Sequence, residues 1–113
     1  MNMEPITIDD FIKIDLRAGK VIEASDFTKS EKLLKLKVDL GSLGERKVLS
    51  GIKKWYKPED LVGKTFIFCV NLEPRMILGE ESQAMILALE DEKKGKVILL
   101  TPKTKVAPGS KVH

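Results

Sequence analysis

An all-β fold, a five-stranded Greek-key barrel with short helices and extra C-terminal strands, is predicted by three observations. Apolar residues alternate at period two in several short runs, turn residues recur about every ten positions, and the elements follow a particular order. That order is a helical start, a bent strand, a hairpin, a short helix, then strands to the end. A three-strand meander, a helix and two further strands is what a partly open five-stranded barrel requires, with a bent first strand shared by both sheets. The expected fold is therefore an OB-fold, in a single domain over residues 1–113.

Each element has its own warrant. Thr7 stands three residues before Asp10, a capping-box-like start for a short helix in IDDFIKI. Ile14, Leu16 and Ala18 then share one face of a strand. Gly19 interrupts it before Lys20-Val-Ile-Glu-Ala, which predicts a bulge or sharp bend. Leu34, Leu36, Val38 and Leu40 alternate with Lys35, Lys37 and Asp39, a half-buried strand with a basic outer face. Gly41-Ser-Leu-Gly44 turns the chain back through Lys47-Val-Leu-Ser-Gly-Ile. Pro58, Glu59 and Asp60 suit the first turn of a short helix, which Gly63 ends. Residues 66–70, 85–89 and 97–100 are the remaining strands, followed by a Pro/Lys-rich tail from Thr101 to His113. Trp55 and Tyr56 are expected to pack under the short helix.

Composition narrows the function classes. The 113 residues, 42% hydrophobic and 33% charged, suffice for one packed core that buries about two-thirds of the unfolded surface. No apolar run approaches the ~20 residues of a membrane span. The N-terminus lacks a basic flank followed by an apolar stretch, so a cytoplasmic location is expected. Cys69 and His113 are the only cysteine and histidine. Cys69, inside an apolar run, is expected to be a buried, inert thiol. No metal site, cofactor or catalytic set is predicted: there is no Ser/His/Asp or Cys/His arrangement and no glycine-rich phosphate loop. The net charge is only +3, yet residues 13–57 carry 12 Lys/Arg against 6 Asp/Glu. Such a basic half is the electrostatic footprint of a nucleic-acid binder, and equally a solvated lysine-rich surface.

The connection NLEPRMILGEESQAM (residues 71–85) carries more polar and exposed apolar character than linkage alone needs. Read with LLKLKVDLG (residues 33–41) and SGI (residues 50–52), it resembles the tRNA-binding domain appended to methionyl-tRNA synthetases. The same domain occurs in free-standing structure-specific tRNA-binding proteins and in the endothelial monocyte-activating polypeptide family. The resemblance covers roughly residues 6–112. It implies a tRNA-binding module that does not aminoacylate, with tRNA and methionyl-tRNA synthetase as partners. It also implies a homodimer built from the N-terminal segment and the C-terminal extension. Carried over residue by residue, the motif N-L-x-P-R and the following S-x-x-M point to Asn71, Arg75, Ser82 and Met85 at the RNA face. One departure is visible: the family commonly reads S-E-G-M where this chain has Ser82-Gln83-Ala84-Met85, which puts the detail of that corner in doubt.

The residues themselves leave alternatives open. Lys35 and Lys37, with Lys32 just before them, could each neutralise a phosphate or form an ordinary solvated face. Arg75 could fork onto a phosphate or stack on a base, or pair with Glu73 or Glu80. Asn71 suits a base edge or, from residue type alone, a loop cap. Met85 offers a polarisable surface or core packing. Ser50 and Gly51 allow close approach of RNA backbone or relieve a crowded sheet. Aromatic residues are only 5%, too few for the stacking platforms of single-strand binders, which favours recognition of a folded RNA by backbone and shape. A second reading is a protein-binding module of the CsaA export-chaperone type, which shares fold and dimer. The opening MNMEP reads as a natural start, and both a free-standing subunit and a synthetase appendage stay open. The four consecutive apolar residues at 97–100 exceed what one barrel wall buries, which predicts a partner for their outer face.

Overall fold

The computed structural model describes residues 3–113. Its organising element is β1 (Leu16–Asp26), an 11-residue strand that serves both halves of a barrel. Residues 16–20 pair antiparallel with β4 (Thr65–Cys69), from Leu16 opposite Cys69 to Lys20 opposite Thr65. Residues 20–26 pair with β2 (Leu34–Asp39), from Lys20 opposite Asp39 to Asp26 opposite Leu34. The hairpin β2–β3 (Glu45–Ser50) and the short β7 (Met85–Ile86) complete an antiparallel sheet of order β3-β2-β1-β4-β7. The all-β barrel expected of an OB-fold is thus present.

The barrel closes between β3 and residues 82–83, just before β7, through a mixture of side-chain and backbone bonds rather than a continuous ladder. Leu49 N donates to Ser82 Oγ (3.0 Å), Gln83 N to Lys47 O (2.8 Å), and Lys47 N to Gln83 Oε1 (2.9 Å). Leu34, Leu36 and Val38 turn into the core with Val21, Val48, Leu61 and Phe68, while Lys35 and Lys37 face outward. Complete burial of a leucine such as Leu36 stabilises the fold by roughly 1.5–3 kcal/mol. Cys69 lies buried beside this core.

Gly19 does not mark the bulge. The register shift falls between Val21 and Glu23. Gly19 instead permits a close approach: a Cβ there would lie 2.6 Å from Val38 Cγ1, 2.8 Å from Leu40 Cδ2 and 2.9 Å from Phe68 Cδ1. Without that side chain the strand can press onto the core where β1 changes partner.

Other boundaries also differ from expectation. The helix α1 (Ile8–Ile12) is shorter than the IDDFIKI run, with Thr7 Oγ1 accepting from Asp10 N at 3.1 Å. Pro58–Asp60 makes one 3-10 turn, closed by Lys57 N donating to Asp60 Oδ2 (2.9 Å). The apolar run 85–89 splits at Leu87 into β7 and β8 (Ala88–Asp91), which pairs with β9 (Lys96–Leu99). Trp55 and Tyr56 brace this second hairpin. Trp55 Nε1 donates to Gly95 O (3.0 Å), and the Tyr56 hydroxyl accepts from Leu99 N (3.2 Å). The tail returns to β1, where Ala18 N donates to Ser110 O (2.8 Å), Gly109 N to Ala18 O (2.7 Å) and Val112 N to Leu16 O (2.8 Å).

Within the run 97–100 the two faces separate. Leu99 is 5% exposed and joins the core, whereas Ile98 is 45% exposed and sits opposite Leu89, itself 58% exposed. Ile6, Ile8, Phe11, Ile12 and Ile14 are likewise exposed around α1, which buries none of its residues.

Candidate nucleic-acid interface

The outer face of β1–β2–β3 forms a groove of about 350 Å³, lined by Glu23, Ser25, Lys35, Lys37, Glu45 and Lys47 among others. Period-two alternation puts Lys35 and Lys37 there, and β3 sets Lys47 directly opposite Lys37. Like charges facing across a ladder repel, and two carboxylates offset this. Glu45 pairs with Lys37 at 3.2 Å. Glu80 Oε1 takes both Lys35 Nζ, at 2.7 Å, and Lys47 Nζ, at 3.3 Å. The hydrogen bond from Lys35, with a further one from Lys47, holds the Glu80 carboxyl below its usual range. The hydrogen bond to Glu45 raises the Lys37 ammonium above its ordinary value. Both therefore stay charged at neutral pH. Lys32 is exposed just before β2, where its backbone N donates to Ser30 Oγ (3.1 Å).

Beside this face stands a hairpin, in a connection that carries no hairpin-turn signature in the sequence. Strands β5 (Arg75–Ile77) and β6 (Glu80–Ser82) pair with Arg75 opposite Ser82, and Leu78 and Gly79 form the turn at φ 49° and 88°. Two successive positive φ values suit the twist of a tight hairpin. Leucine is an uncommon occupant of that region, and Lys29 Nζ donates to its carbonyl at 3.2 Å. Arg75 is exposed at the start of β5 and makes no ion pair among the described residues. The suggested Glu80 partner is committed to the lysines instead. Arg75 and the half-exposed Met85 share a small groove with Leu72, Glu73, Ile77 and Leu49.

Other motif residues turn inward. Asn71 Oδ1 accepts from Asp15 N at 2.9 Å, and its amide donates to Lys13 O. Its side chain thus pins the segment between α1 and β1 to the end of β4, a cap over long range. Arg17 forks onto Asp15 next to it, at 2.7 and 3.2 Å, and that hydrogen bonding lowers the Asp15 carboxyl. Ser82 is buried, its hydroxyl accepting from Leu49 N and donating to Ala84 O (3.3 Å). Ser50 ends β3 opposite Leu34. A Cβ on Gly51 would meet nothing nearer than Leu33 Cδ2 at 3.9 Å, so crowding does not explain that glycine. The Gln83-Ala84 departure is accommodated locally. Gln83 bonds Lys47 N and donates to Glu81 Oε1 (3.0 Å), and Ala84 needs no positive φ.

The structure therefore sets Lys35 in the groove of the strand face and Arg75 with Met85 in a separate small groove at the neighbouring hairpin, and it gives Asn71 and Ser82 internal partners. Sequence reasoning missed Lys47, Lys29 and Glu80. Lys47 was detectable from the alternation of β3 across from Lys37. The role of Glu80 was not, because its partners lie 45 and 33 residues away. Among the described residues, no group of three or more His, Cys, Asp or Glu comes together to hold a metal, and no helix is long and apolar enough to cross a membrane.

Known proteins resemble the chain over nearly its whole length. Residues 16–111 match the family described as "Putative tRNA binding domain". A methionine–tRNA ligase from Methanocaldococcus jannaschii is 54% identical over 111 residues, covering 98% of this chain and 17% of the relative. The ligase from Clostridium perfringens is also 54% identical, over 99 residues, 88% of this chain and 15% of the relative. The chain thus spans less than a fifth of the curated relatives it matches. Among solved structures, a MetRS-related protein from Pyrococcus horikoshii superposes with TM-score 0.90 at 40% identity, covering 98% of this chain and 100% of that one. The chaperone CsaA from Bacillus anthracis gives 0.88 at 33%, covering 97% and 100%. With its barrel, its lysine face and the Arg75 hairpin in the places described, this chain belongs to the tRNA-binding domain family and is related to a segment of methionyl-tRNA synthetases.

Proposed function

We propose that this chain holds tRNA by backbone and shape contacts, without catalysing a reaction, and presents it to methionyl-tRNA synthetase as a subunit or appendage. The observation that carries the reading is Arg75, an exposed guanidinium with no ion pair among the described residues, standing beside a face that carries three lysines. A planar guanidinium forks onto phosphate, and the lysines supply charge without sequence information. Met85 gives a base an apolar surface next to Arg75. Lys32 and Ser50 lie at the near end of the same sheet and extend the contact along the strand. Asn71 and Ser82 contribute by fixing β4 and the hairpin in place. Holding tRNA beside the catalytic domain raises its effective concentration there.

The proposed particle is a homodimer. The exposed Leu89 and Ile98 on β8–β9 and the uncovered apolar residues around α1 support it, since a soluble homo-oligomer most commonly pairs by a twofold axis. A cytoplasmic location accompanies this reading. A chaperone-like reading draws on the likeness to CsaA and on the exposed Leu72, Met76 and Leu78 beside Arg75. A gel-shift titration separates the two: tRNA should bind at low salt and a denatured polypeptide should not displace it. Absence of tRNA binding alongside capture of the polypeptide would favour the chaperone.

A further inference from the structure

Glu80 stands out on the basic face because one of its oxygens serves two lysines. Lys35 Nζ lies 2.7 Å and Lys47 Nζ 3.3 Å from the same Oε1. The two ammonium groups come from neighbouring strands, β2 and β3, and their shared counter-ion comes from neither. It projects from β6, one strand of the hairpin whose other strand carries Arg75. The same acid therefore keeps two ammonium groups close together and fastens the arginine-bearing hairpin to the lysine face. Glu81, the next residue, points elsewhere and accepts from Gln83 Nε2 at 3.0 Å.

An anion approaching this face must compete with a carboxylate already in place. A single phosphate must either expel Glu80 from both lysines to sit between them, or draw off one and leave Glu80 paired with the other, and in both cases it gains little. A ligand with two neighbouring phosphates replaces both pairs in one event, and a folded RNA holds such phosphates at fixed spacing. We propose that Glu80 is a specificity-determining counter-ion: it lowers the affinity of Lys35 and Lys47 for isolated anions and reserves them for adjacent phosphates of structured RNA. This rests on the tRNA-binding reading above and extends it to a residue of opposite charge.

The test measures binding of fluorescently labelled tRNA by anisotropy across a salt series, with inorganic phosphate as competitor. Glu80→Gln is compared with Glu81→Gln, which makes the same change in net charge on the same hairpin while leaving both lysines paired. Glu80→Gln should tighten tRNA binding roughly three- to tenfold at 0.1 M salt and steepen the log–log salt slope by about one. Inorganic phosphate should displace tRNA from it at lower concentration than from the native chain. Glu81→Gln should change each quantity less than about twofold. Should Glu80→Gln fail to fold, Glu80→Asp carries the test, since the shorter acid cannot hold both lysines and should tighten binding by a smaller factor. Unchanged or weaker tRNA binding on altering Glu80, or equal effects at Glu80 and Glu81, overturns the proposal. A native chain that does not bind tRNA at all overturns instead the reading on which it rests.

Discussion

Replacing Arg75 by alanine should weaken tRNA binding far more than replacing Lys37, and the structure says why. Arg75 is exposed and unpaired among the described residues, so its guanidinium is available to a phosphate without first breaking a contact. Losing a charge-assisted forked contact costs on the order of 1–3 kcal/mol, or roughly 5- to 150-fold in affinity at tenfold per 1.4 kcal/mol. Lys37 starts from a different position. Its ammonium lies 3.2 Å from Glu45, so any phosphate contact is exchanged against an existing pair, and the loss should stay under about threefold. Anisotropy titrations at 0.1 M salt measure both variants, with circular dichroism confirming that each is folded. Equal losses would refute a defined site at the β5–β6 hairpin and leave only diffuse charge.

Three further outcomes are expected. Gly19→Ala should destabilise the fold by about 1–3 kcal/mol, because the new methyl would sit under 3.0 Å from Val38, Leu40 and Phe68 in a packed core; an unshifted thermal midpoint would contradict the close approach. The Arg17–Asp15 fork, which depresses the Asp15 carboxyl, should stabilise the chain fully above the unfolded carboxylate range near pH 4 and lose that contribution as pH falls through the lower folded value. The stability gap between native chain and Asp15→Asn should therefore shrink on acidification, and a gap independent of pH counts against the fork. Ile98→Lys should convert the proposed dimer to a 12.7 kDa monomer in sedimentation equilibrium, whereas a native chain already monomeric at micromolar concentration, or a dimer that survives the substitution, refutes an interface there.

Much of the barrel is legible in the sequence because period-two burial leaves a direct trace. Leu34, Leu36 and Val38 against Lys35 and Lys37 fix both the core side and the basic side of β2. The order of turns then carries the topology. The β5–β6 hairpin was hidden because its turn is Leu78-Gly79 rather than the Asn-Gly or Asp-Gly that announces such a turn. The split at Leu87 was hidden because an apolar run looks the same whether or not the strand changes partner, and here Leu87 N bonds Ile67 O while its carbonyl receives Leu100 N. At the site, residue type identified Arg75 and Lys35 but could not tell an outward side chain from an inward one. Asn71 and Ser82 sit in the same motif as Arg75, yet their polar atoms are occupied by Lys13, Asp15, Leu49 and Ala84. Contacts over such sequence distances, like that of Glu80 with Lys35 and Lys47, are set by the closed barrel and leave no local pattern.

The central claim, that this chain grips folded tRNA through phosphates, is tested most directly by one salt titration of the native chain against tRNA and poly-U. With roughly four to six phosphates neutralised, log Kd should change linearly with log salt, at a slope in affinity of around −3 to −5, and folded tRNA should bind more tightly than poly-U at every salt concentration. Equal affinity for the two polymers, or no tRNA binding at low salt, would contradict it.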